Sequence, residues 1–95
     1  MGSPMPEAVI DNPERRRFEL TEQGLTAFAT YRVEGDRVVI PHVEAPPELR
    51  GKGTAGRLMT GMLELIRTRG QKVVPVCPYA VVFLKRHPEY SDVAA

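Results

Sequence analysis

His42-Val43-Glu44-Ala45-Pro46-Pro47-Glu48-Leu49-Arg50-Gly51-Lys52-Gly53-Thr54-Ala55-Gly56-Arg57 reads as the tail of a strand, a double-proline stop and a glycine-rich turn that opens a helix. The helix is predicted from about Thr54 to Arg69. Leu58, Met59, Met62, Leu63, Leu65 and Ile66 recur at helical spacing and give it one broad apolar face, and Gly70 supplies the stop. Beyond it, Lys72 to Val76 is a short valine-rich run of the kind that makes a buried strand. Pro78 suits the first turn of a second helix, about Tyr79 to His87. Lys85-Arg86-His87 lies at that helix's negative end, and Pro88 ends it.

Upstream of the quoted stretch the period is two. Phe18 and Leu20 alternate with Arg17 and Glu19, and Leu25, Ala27, Ala29, Tyr31 and Val33 share one parity. Gly24 marks a first turn, and Gly35-Asp36 a second of the glycine-first hairpin kind. The third strand runs from Arg37 to about Ala45, with Val38, Ile40, His42 and Glu44 expected on one face. Pro41 has no N–H, so the ladder must be edge-like or bulged there. The order β-β-β-α-β-α makes the last two strands parallel neighbours through a right-handed crossover. The fold class is α+β, a mixed sheet of three antiparallel meander strands plus one parallel strand, with two helices. Residues 1–13 are expected to be a mobile arm, because Pro4, Pro6 and Pro13 oppose regular pairing. Residues 14–95 are then one domain.

Composition narrows the function classes. The 95 residues carry 13 Lys+Arg against 12 Asp+Glu, a net charge of +1. No broad basic field is available for nucleic acid or an anionic membrane. No apolar run approaches the roughly 18 residues of a membrane span, and no charged-then-apolar N-terminus suggests a secretory signal. One cysteine and two histidines argue against both a disulfide and a four-ligand zinc site, and point to a reduced, cytoplasmic setting. So small a core makes a homodimer reasonable.

The glycine turn carries the chemistry. Backbone N–H groups at a helix start are unpaired donors, and with the positive end of the helix dipole they suit a pyrophosphate. Gly51, Gly53 and Gly56 let a ligand approach the backbone. Arg50, Lys52 and Arg57 place three cations where a helix prefers acids, an arrangement costing about 0.3–1 kcal/mol each that a bound anion removes. Gly51-x-Gly53-x-x-Gly56 matches a dinucleotide fingerprint, but the preceding strand belongs to an antiparallel meander and no acidic residue follows at the required distance. A P-loop needs Lys-Ser or Lys-Thr after its last glycine, where Arg57-Leu58 stands.

Arg50-x-x-Gly53-x-Ala55 resembles the Arg/Gln-x-x-Gly-x-Gly/Ala signature of the GNAT superfamily of acyl-CoA N-acetyltransferases. The stretch from His42 to Gly53, Val74-Pro75-Val76-Cys77-Pro78-Tyr79 and Arg86-His87-Pro88-Glu89-Tyr90 together resemble a small single-domain subgroup, over roughly Phe18 to Tyr90. The resemblance implies a minimal GNAT-like fold that binds acetyl-CoA. Arg50, Gly51, Lys52, Gly53, Thr54, Ala55, Gly56 and Arg57 would cradle the pyrophosphate, while backbone of the strand His42 to Ala45, through Val43, Glu44 and Ala45, would pair with the pantetheine arm. The acetyl group would lie near the end of the strand Lys72 to Val76. Full-sized members carry further helices and strands that help build the acceptor site. Their absence would leave the amine pocket shallow, shared with a second subunit, or missing.

Acetyl transfer to an amine needs a neutral amine, donors for an oxyanion and a proton for the departing thiolate. His42 and Glu44 alternate on one strand and are candidate general bases; otherwise they are an exposed polar stripe. Cys77 sits where a helix start favours a thiolate, and either takes the acetyl group or lines the channel as a small buried residue. Tyr79 resembles in position the tyrosine that protonates the thiolate in many members. The competing reading is a non-catalytic acyl-CoA-binding or sensing module, and a third is an interaction domain whose turn holds a generic anion.

Overall fold

Alternation builds the sheet. The computed structural model describes residues 9–95. In β2 (Arg17–Glu22) Phe18 and Leu20 are buried between partly exposed polar neighbours, and in β3 (Leu25–Glu34) Ala27 and Ala29 take the same face. β4 (Arg37–Glu44) adds Val38 and Ile40 to that face. These strands form the predicted antiparallel meander, and β5 (Lys72–Pro75) pairs parallel to β4 from Arg37↔Lys72 to Ile40↔Pro75. The crossover is α1 (Thr54–Thr68). Its Leu58, Met59, Met62, Leu63 and Ile66 are fully buried on the inner face of the sheet. It closes with Gly70 N–H on the Arg67 carbonyl and Gln71 N–H on the Ile66 carbonyl, which satisfies two of the carbonyls a helix end leaves open. α2 (Pro78–Arg86) packs Ala80 and Phe83 into the same core. His87 donates from Nδ1 to the Phe83 carbonyl at 2.8 Å and stacks on the Phe83 ring, which fixes the helix end. Beyond it, Val73 exchanges hydrogen bonds with Val93 and Ala95, covering the outer edge of β5.

Two expectations need correction. Residues 10–12, placed in the N-terminal arm, form a fifth strand, β1 (Ile10–Asn12), antiparallel to β2. Pro13 falls just past that strand, in a turn where its carbonyl accepts from Arg16 N–H, so its missing N–H interrupts nothing. Residues 1–8 of the expected arm lie outside the described residues.

The second correction concerns β4. The ladder shifts register between Thr30 and Arg32, opposite Pro41. Past that bulge, Val43 pairs with the buried Ala29, while His42 pairs with Thr30 and Glu44 with Phe28. A one-residue insertion exchanges the faces of everything after it. His42 and Glu44 therefore stand on the outer face, opposite Val38 and Ile40, and Val43 and Ala45 pack on the core instead.

Tyr31, at the bulge, ties β1 to the rest. Its hydroxyl donates to Asp11 Oδ1 at 2.6 Å, and Arg69 Nη1 donates to Asp11 Oδ2 at 2.7 Å. Burial first, and then the Asp11 carboxylate, push the Tyr31 phenol up to about 12, so it remains a donor throughout the neutral range. Tyr31→Phe keeps the ring contact with Phe18 and removes this donor. It is expected to cost about 1 kcal/mol, read as a fall in Tm of about 4–8 °C for a domain of this size.

Candidate functional site

The Pro46-Pro47 pair ends β4 and forces a single 3₁₀ turn, Pro47–Leu49, which buries Leu49 and turns the chain toward α1. Arg50 N–H then bonds the Pro47 carbonyl and Lys52 N–H the Leu49 carbonyl. Gly53 is the residue before α1, with φ +79°, a left-handed conformation that side chains resist. It also offers no capping oxygen. As a result the N–H groups of Gly51, Gly53, Thr54, Ala55 and Gly56 have no partner among the described residues, whereas Arg57 N–H makes the first helical bond, to the Gly53 carbonyl. These five donors, unpaired among the described residues, fall within one short turn at the positive end of a 15-residue helix.

They border a cleft of about 270 Å³ lined by Ala45, Leu49, Arg50, Gly51, Gly53, Thr54, Ala55, Gly56 and Tyr79. No hydrogen bond ties the side chains of Arg50 and Lys52 to another described residue. Arg57, expected as a third cation of the cradle, is arranged differently. Its Nε and Nη2 donate to Glu22 Oε2 and Oε1 at 2.7 and 2.8 Å, and Nη2 also donates to the Lys52 carbonyl at 2.8 Å. Thr54 Oγ1 donates to the same Glu22 Oε1 at 2.6 Å. Hydrogen bonds from Arg57 and then from Thr54 hold the Glu22 carboxyl at about 2, so it is charged at any neutral pH. The local cationic excess is thus carried by Arg50 and Lys52.

The strands part beside this cleft. Pairing of β4 with β5 ends at Ile40↔Pro75, where the Ile40 carbonyl accepts from both Val76 and Cys77 N–H at 3.0 Å. In a ladder, successive residues turn their backbone groups to opposite neighbours. Tyr31 N–H bonds toward β2, so Thr30 and Phe28 face β4, and their partners His42 and Glu44 face back. Val43 is left with its N–H and C=O directed to the side where β5 has ended.

The remaining candidates spread around this opening. Cys77 caps α2 and is 7% exposed, at the point where β5 leaves the sheet. Tyr79 is 41% exposed on the cleft wall, its hydroxyl near Gly56. Burial, and then the nearby Cys77, raise its phenol, keeping it protonated. His42 Nε2 and Glu44 Oε1 lie 2.9 Å apart, each side chain about 55% exposed. That pair is on the outer face and does not line the cleft. Sequence reasoning missed Glu22, which reaches the loop across 32 and 35 residues to Thr54 and Arg57 and leaves no local signature. No group of His, Cys, Asp and Glu able to hold a metal occurs among the described residues, and no helix of the described residues is long and apolar enough to cross a membrane.

A mixed sheet whose parallel strands part beside an uncapped, glycine-started helix leaves a cleft bordered by open backbone amides. A family profile described as GCN5-related N-acetyl-transferase matches residues 17–93, and the chain belongs to that family. The solution structure of a GCN5-like protein from Staphylococcus aureus, a candidate N-acetyltransferase, superposes with a TM-score of 0.72 at 24% identity, covering 95% of this chain and 89% of that one. The likeness at that identity is one of fold. No curated protein matches the chain in sequence.

Proposed function

We propose that the protein transfers the acetyl group of acetyl-CoA to an amine. The observation that carries this reading is the set of five unpaired N–H groups bordering the cleft at the start of α1. Such a turn suits the coenzyme's pyrophosphate, with Arg50 and Lys52 adding charge from its rim. The open N–H and C=O of Val43, followed by Ala45 on the cleft wall, suit the amides of the pantetheine arm. A thioester reaching the gap between β4 and β5 would lie near Cys77 and Tyr79. In transfer the acetyl carbon bonds to the amine nitrogen as its bond to sulfur breaks. Glu44, paired with His42, accepts the proton the nitrogen gives up, and Tyr79 supplies one to the departing sulfur. Cys77 lines the channel, its burial suiting a wall better than a nucleophile. Because His42 and Glu44 stand on the outer face of the sheet, the amine in this reading approaches from that side. The free thiol fits a cytoplasmic setting.

The placement of His42 and Glu44 outside the cleft favours a second reading, an acyl-CoA-binding module without turnover. Thermal shift is the first test: acetyl-CoA is expected to raise Tm by several degrees where phosphate and ATP at equal concentration do not. Equal shifts would discard both readings. Release of free thiol that depends on an added amine, from a panel of polyamines, lysine peptides and peptide N-termini, then separates enzyme from binder. Persistence of that release in Cys77→Ala is the expected outcome, and its loss would give Cys77 the acetyl-carrying role.

A further inference from the structure

We propose that Glu22 is a positioning residue of the coenzyme loop, acting through Arg57 and Thr54 to set the Lys52–Gly53 peptide with its N–H toward the anion. The inference rests on the coenzyme reading of the cleft and goes further, because it assigns a role to a side chain that does not border the cleft at all. Arg57 does not border it either. Its guanidinium lies behind the loop, with Nη1 3.0 Å from where a Cβ on Gly53 would stand. From there Nη2 bridges Glu22 Oε1 and the Lys52 carbonyl, each at 2.8 Å. The C=O and N–H of a trans peptide point in opposite directions. A carbonyl held from behind therefore turns the Gly53 N–H to the front. Thr54, 1% exposed and the one buried polar side chain among the described residues, spends its hydroxyl on the same carboxylate. The Lys52–Gly53 peptide, through Arg57, and Thr54, directly, are thus referred to one acid on the β2–β3 hairpin.

The sign of the effect distinguishes this role from simple electrostatics. Glu22 is an anion beside a site for anions, so removing it should tighten coenzyme binding if charge alone mattered. It would also free Arg57 to contact the ligand. Positioning demands the opposite. In Glu22→Ala the dissociation constant of coenzyme A, measured by calorimetry, is expected to rise about tenfold, and in Glu22→Gln, which keeps one acceptor for Thr54, about threefold. The double variant Glu22→Ala/Arg57→Ala should lose no more than Glu22→Ala, since the two act as one unit. Glu64→Ala, which removes the ion pair to Arg67 away from the loop, is the control for general loss of an acid and should bind as the parent does. Unchanged or tighter binding in both Glu22 variants would overturn the proposal. Failure of the parent protein to bind coenzyme A would instead refute the reading of the cleft. In that case the amide spectrum still decides: the Gly53 and Thr54 resonances should move in Glu22→Gln while those of residues 60–66 stay. Resonances of Gly53 and Thr54 that stay in place would refute the positioning role on its own.

Discussion

Reversing both free cations of the loop, Arg50→Glu with Lys52→Glu, is expected to lower the proposed coenzyme A affinity by about a hundredfold or more in a protein that still folds. Neither side chain is held by another group in the described residues, so the change removes no internal contact. Each reversal turns an attraction of about 1 kcal/mol near a diphosphate into a repulsion of similar size. Two such changes sum to about 3–4 kcal/mol, and every 1.4 kcal/mol is about tenfold. Because the groups are exposed, the loss should shrink as salt is added, the Debye length being about 10 Å at 0.1 M. Titration calorimetry at two salt concentrations, beside a thermal melt without ligand, measures both quantities. A double variant with parental affinity would mean that the anion sits elsewhere.

Gly53→Val acts on the same loop by a different route and reaches further. At φ +79° a β-branched residue is forced into a conformation costing roughly 1–2 kcal/mol. Its Cβ also stands 3.0 Å from Arg57 Nη1, so the guanidinium must give by a few tenths of an ångström in its seat between Glu22 and the Lys52 carbonyl. The expected result is a fall in Tm of about 4–8 °C per kcal/mol lost together with loss of measurable coenzyme A binding. Gly51→Ala separates the two contributions. Gly51 has a similar φ of +78° but nothing within 4 Å of its Cβ position, so the backbone cost is shared while the clamp is spared. Equal coenzyme binding by the two variants would show that the Arg57 seat is irrelevant to the loop.

The order of elements was legible because each segment carries its own period and its own stop. The helix face from Leu58 to Ile66, the Pro46-Pro47 break and the Cys77-Pro78 junction all fall where local chemistry places them. The loop was legible for the same reason, since its donors all lie within the short stretch from Gly51 to Gly56. What was not legible depends on partners distant in the chain. Pro41 announces a bulge, but which side chains change face depends on how Thr30 and Arg32 meet β4, and this moved His42 and Glu44 away from Val38 and Ile40. β1 is three residues long and is secured by Asp11 to Tyr31 and Arg69, 20 and 58 residues away. Arg57 looks like a free cation until Glu22 is seen beside it.

The tether from Glu22 has a consequence for anyone wishing to transplant the glycine turn. A segment cut from the end of β4 to the end of α1 carries every donor of the turn, yet it leaves behind the acid that orients them. Such a graft would keep the motif and lose its shape. On this proposal the anion seat belongs to the assembled sheet, and it takes its shape only with the β2–β3 hairpin docked against the helix.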